Sequence, residues 1–147
     1  MQRILDFLAQ IGIATREATI TGETFLPGIR VERGTILYDL ARMTYPGDLL
    51  HEAAHIAFAP ASQREAMSDE VGTDAGDEMA ALAWSYAAAV YLNIDPAIVF
   101  HDGGYKGGSR ALIENFSLRR YVGVPLLQWA EMTTGETFPA MTKWMRD

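Results

Sequence analysis

The chain of 147 residues contains no cysteine. Disulfide frameworks, thiolate metal sites and cysteine nucleophiles are therefore excluded, and any metal must be held by histidine and carboxylate. Histidine is itself scarce, at three residues. No uncharged run approaches the ~20 apolar residues of a membrane-spanning helix. The longest apolar stretch, residues 79–92, is too short and contains Ser85. The opening segment, Met1-Gln2-Arg3-Ile4-Leu5-Asp6-Phe7-Leu8-Ala9-Gln10, is broken by Asp6 and Gln10 and reads as an amphipathic first helix, not a secretory signal. A soluble, cytoplasmic protein is expected. Basic residues are also in deficit: 12 Lys and Arg stand against 19 Asp and Glu, a net charge of -7. That leaves no positive footprint for a phosphate backbone, so direct nucleic-acid binding is disfavoured.

Two of the three histidines are four residues apart, in His51-Glu52-Ala53-Ala54-His55, within a stretch that reads as helix. This is the HExxH zinc signature. Residues four apart on a helix lie nearly above one another, so both imidazoles can reach one ion while Glu52 faces the ion's open position. Zinc with three protein ligands keeps a fourth position for water and lowers that water's pKa toward ~7. Glu52 is placed to take the proton during attack on a carbonyl and to deliver it to the leaving amine. The pattern supports hydrolysis of peptide or amide bonds. The chain is long enough to bury a core without a metal staple, so a bound ion would serve function.

The surrounding sequence predicts a single domain, residues 1–147, of α+β class: mainly helical, with a small antiparallel sheet beside the motif helix. Residues 18–22 and 25–39 are rich in β-branched residues and punctuated by Gly and Pro. Within them Ile29-Arg30-Val31-Glu32 alternates, and Arg33-Gly34 can turn the chain into Thr35-Ile36-Leu37-Tyr38. The motif helix is expected to start near Tyr45-Pro46-Gly47-Asp48, with Thr44 or Tyr45 as cap and Pro46 in the first turn, and to run to about Phe58. A polar connection over 61–72 precedes a helix from Thr73, apolar on nearly all sides and read as the central buried helix. Asp95-Pro96 opens a short segment ending at His101, before the glycine-rich Asp102-Gly103-Gly104-Tyr105-Lys106-Gly107-Gly108. Helical pieces are expected over 109–121, 125–133 and 139–146.

A hydrolytic zinc needs a third ligand. Phe58 and Ala61 occupy the places of the Gly and His in the extended three-histidine motif, so a downstream carboxylate is the natural source. Glu70, Asp74, Asp77 and Glu78 are the candidates. Glu78 is preferred because it leads into the apolar residues of its helix. Asp74, one turn earlier, is the alternative, either as ligand or as hydrogen-bond acceptor for the non-metal nitrogen of His51 or His55. The HEAAH motif followed by the acid-led Asp77-Glu78-Met79-Ala80-Ala81 resembles the gluzincin metallopeptidases, especially their small ImmA/IrrE-type members, over about residues 25–92. The resemblance implies a minimal zincin-like fold. It also implies His51, His55 and Glu78 as zinc ligands, Glu52 as base, and a regulatory protease acting on protein substrates.

A donor near the developing oxyanion is expected from His101 or Tyr105, His101 ranking first, with the nearby glycines as a lid. Residues 36–38 are a candidate edge strand for aligning an extended peptide. Trp84, Trp129 and Trp144 read as packing residues. The competing function is a catalytically inactive zinc-binding interaction or regulatory module. A homodimer is compatible with either reading.

Overall fold

A computed structural model describes residues 1–68 and 74–147. Glu70, and Thr73 as the start of the second long helix, lie outside the described residues. Ile4, Phe7 and Leu8, at helical spacing, give Gln2–Ile11 (α1) its buried stripe. The chain continues through Thr15–Glu17 (β1), Ile29–Glu32 (β2), Thr35–Tyr38 (β3), Asp48–Phe58 (α2), Ala75–Tyr91 (α3), Pro96–Val99 (α4), Ser109–Ser117 (α5) and Val124–Trp129 (α6). One continuous apolar cluster joins α1, the sheet and the helices, making an α+β domain. Among the described residues, no helix is long and apolar enough to cross a membrane.

Strands β2 and β3 form the expected antiparallel hairpin, with Arg33 (φ 50°) and Gly34 (φ 75°) both left-handed, as a type I′ turn requires. The sheet is nevertheless mixed, since β1 pairs with β3 in parallel, Thr15 opposite Ile36. The order β1-β3-β2 puts β3 in the centre. Residues 36–38 therefore have neighbours on both sides and cannot take up a peptide as an added strand. Nor is 18–22 a strand. The Ile20 N–H is claimed by the Asp39 carboxylate at 3.0 Å, and the Thr21 and Gly22 carbonyls are claimed by the guanidiniums of Arg30 and Arg42.

The helix buried at every position is α2, from Asp48 to Phe58. In contrast, α3 exposes Met79, Val90 and Tyr91 and buries a face of Ala80, Ala81, Ala83, Trp84, Ala87 and Ala88. The alanines of that face are small enough for α3 to pack against α2, and the central position belongs to the shorter helix. Residues 44–46 do not cap it. Tyr45 and Pro46 form the turn before it, their carbonyls accepting from the Asp48 and Leu49 N–H groups, and Gly47 is the cap. At the other end two cations cover the free carbonyls and complement the negative end of the helix dipole. The Arg64 guanidinium donates to Ile56 O (3.0 Å) and Ala57 O (3.3 Å), and Arg146 donates to Phe58 O (3.1 Å).

The late helices are shorter than expected: α5 ends before Arg119 (φ 60°), and α6 before Glu131 (φ 61°). Residues 139–146 form no helix, because their backbone bonds to distant groups. Thr142 N–H donates to Met132 O, Trp144 O accepts from Trp84 Nε1, and Arg146 N–H donates to Ala57 O. Trp84 is buried, whereas Trp129 is 67 % exposed, with the Arg146 guanidinium 4.7 Å from its ring centre.

At the start of α2, a Cβ on Gly47 would stand 2.0 Å from Ile98 O, so glycine is what allows α4 to reach the motif helix. Gly47→Ala is expected to destabilise the fold by about 1–3 kcal/mol, the usual cost of overpacking, read as a lower urea midpoint with unchanged slope.

Candidate metal centre

His51 and His55, one turn apart on the buried α2, present their Nε2 atoms 3.3 Å from each other. Glu78, in the first turn of α3, spans the pair: Oε1 is 3.2 Å from His51 Nε2 and Oε2 is 3.2 Å from His55 Nε2. Bonds of about 2.0–2.1 Å at tetrahedral angles separate donor atoms by about 3.3–3.4 Å, so this spacing suits a small divalent ion. The donor set of two imidazoles and one carboxylate fits as well. These three residues can therefore hold a metal ion. The imidazoles are buried, while the Glu78 side chain is 45 % exposed, so the site meets solvent on the α3 side.

The alternative third ligand is occupied elsewhere: Asp74 caps α3, accepting the Asp77 N–H at 2.7 Å, and it does not brace either histidine. Glu78 follows one turn after this cap, which fixes its register on the face turned toward α2. Burial alone raises the Glu78 carboxyl, but hydrogen bonds and charge from His51 and His55 outweigh this and hold it well below the usual carboxylate range.

Glu52 is buried beside the ligands. Burial pushes its carboxyl up to about 7; the His51 charge opposes the rise, and Asp48 and Glu78 add to it. A carboxyl of that strength exchanges protons near neutrality, as a general base and acid must.

Of the two residues considered as oxyanion donors, the structure brings Tyr105 to the histidines. Its hydroxyl lies 3.4 Å from His51 Nδ1. His101 is paired instead with Asp48, its Nε2 2.7 Å from Asp48 Oδ1 and its ring stacked on Tyr45 at 3.6 Å. Burial raises the Asp48 carboxyl, against the pull of His101. The glycine loop is fitted around this pair rather than being a free lid: a Cβ on Gly103 would meet the Tyr45 hydroxyl at 2.1 Å. The Asp48–His101 contact escaped sequence reading. Asp48 is three residues before His51, which places it on the motif face, but its partner is 53 positions away and no local pattern announces it.

Two outcomes follow for the metal. Wild type is expected to retain one ion per chain after dialysis, with His55→Ala and Glu78→Ala retaining none, as counted by plasma mass spectrometry. Zinc at a hundredfold excess over its dissociation constant should then stabilise wild type by about 2.7 kcal/mol in thermal unfolding. A third concerns the chelator-stripped protein. Because the folded pKa of Glu52 is raised, its contribution is present below the ordinary carboxyl pKa and lost as pH rises toward about 7. Wild type should therefore lose stability relative to Glu52→Gln over that window, by at most about 3 kcal/mol, measured by denaturant melts from pH 4.5 to 7.5.

No protein-family model matches the chain, and neither does any curated protein or solved structure.

Proposed function

We propose that the chain is a zinc-dependent hydrolase of peptide or amide bonds, a minimal zincin-like domain of gluzincin type. The observation that carries this reading is the convergence of His51, His55 and Glu78 at 3.2–3.3 Å, with the buried Glu52 on the same helix as both histidines. The ion, when bound, supplies Lewis acidity to a carbonyl and makes water a nucleophile at neutral pH. The two histidines orient it from a buried helix, and the Glu78 carboxylate completes the charge. Glu52 would hold the proton removed from water and return it to the departing amine.

The test is hydrolysis of a quenched fluorescent peptide library and of casein by the zinc-loaded protein. Glu52→Gln should keep the metal and lose at least about 100-fold in rate, the scale of a general base. A wild type that holds zinc and cleaves none of these substrates would instead favour the interaction or regulatory module.

A further inference from the structure

Tyr105 has an unusual placement for a loop residue. Its backbone is left-handed (φ 57°), as is that of Lys106 (φ 52°), a region that bulky side chains rarely enter. Strain of this kind persists where the surroundings over-determine it. Here they do so from three directions. The Tyr105 ring packs edge-on against Phe100 (5.4 Å between centres), His101 (6.0 Å) and His51 (5.8 Å). His101 is in turn fixed by Asp48 and by the Tyr45 stack, and Asp48 belongs to α2 itself. The loop is therefore anchored to the same helix that carries the histidines.

The consequence is a hydroxyl held at His51 Nδ1, on the side of the ring opposite the atom that faces Glu78. An imidazole that binds metal through Nε2 must carry its proton on Nδ1, and a partner accepting that proton selects the tautomer and fixes the ring. A phenol is neutral at physiological pH, with an oxygen lone pair available to the Nδ1–H.

We infer that Tyr105 is a positioning residue for the metal centre: its hydroxyl oxygen accepts the Nδ1–H of His51 and so holds His51 in the tautomer that binds the ion through Nε2. This rests on the proposed metal reading, but not on hydrolysis. Asp48, His101 and Tyr45 serve it indirectly, by seating the loop.

The experiment compares zinc affinity of wild type and Tyr105→Phe by competition with a chromophoric chelator. It adds 15N-resolved imidazole spectra of the zinc-loaded proteins and melts of the metal-free ones. Tyr105→Phe is expected to bind zinc about 10- to 100-fold more weakly, the usual effect of losing a partner behind a ligand. Its metal-free melting temperature should be unchanged, and the slowly exchanging His51 Nδ1 proton of wild type should be lost. Equal affinities in the two proteins overturn the inference while leaving the metal site standing. Failure of wild type to bind zinc overturns both. If metal-free Tyr105→Phe melts early, zinc-loaded wild type decides: a protected His51 Nδ1 proton supports the inference and a rapidly exchanging one overturns it.

Discussion

The burial of α2 on every side is the constraint on which the rest of the structure depends. A helix in that position is normally apolar, yet this one carries Asp48, His51, Glu52 and His55 inward. Each such group must find a partner or change its ionisation. The surrounding elements supply those partners. Asp48 receives His101 from the segment after α4, and His51 receives the Tyr105 hydroxyl. Both histidines receive Glu78 from α3. The ends of α2 are served in the same way, with Gly47 admitting α4 at one end and Arg64 and Arg146 covering the carbonyls at the other. Parts of α3, α4, the glycine loop and the closing segment thus meet the needs of these eleven residues.

Polar groups so placed do not assist folding by themselves. Two imidazoles and a carboxylate gathered within bonding range of one point are polar groups that an apolar core would avoid, and removing one leaves the others without their partner. Burial raises the Glu52 carboxyl to about 7, so near neutrality its ionisation opposes folding of the metal-free protein.

Features that follow from local periodicity were legible in the sequence. His51, Glu52 and His55 could be placed on one helical face, the Ile29–Tyr38 hairpin announced itself by alternation and an Arg-Gly turn, and Asp95 and Pro96 mark a helix start that the structure retains. Glu78 was legible only in combination with the histidines. Features set by pairing between distant segments were not legible. The parallel partner of β3 comes from residues before the hairpin, so a period-two pattern cannot distinguish a central strand from an edge. Residues 139–146 have helix-compatible composition but spend their backbone groups on Met132, Trp84 and Ala57. The apolar run of α3 drew the central role away from α2, whose Asp48, His51, Glu52 and His55 interrupt its apolar residues.

The ligands differ in how they are held. Two are rings on a buried helix, while the third is a half-exposed carboxylate one turn into another helix. For an ion held by all three, the imidazoles would form a buried floor and the half-exposed carboxylate a latch at the solvent boundary, on the side from which the ion would load.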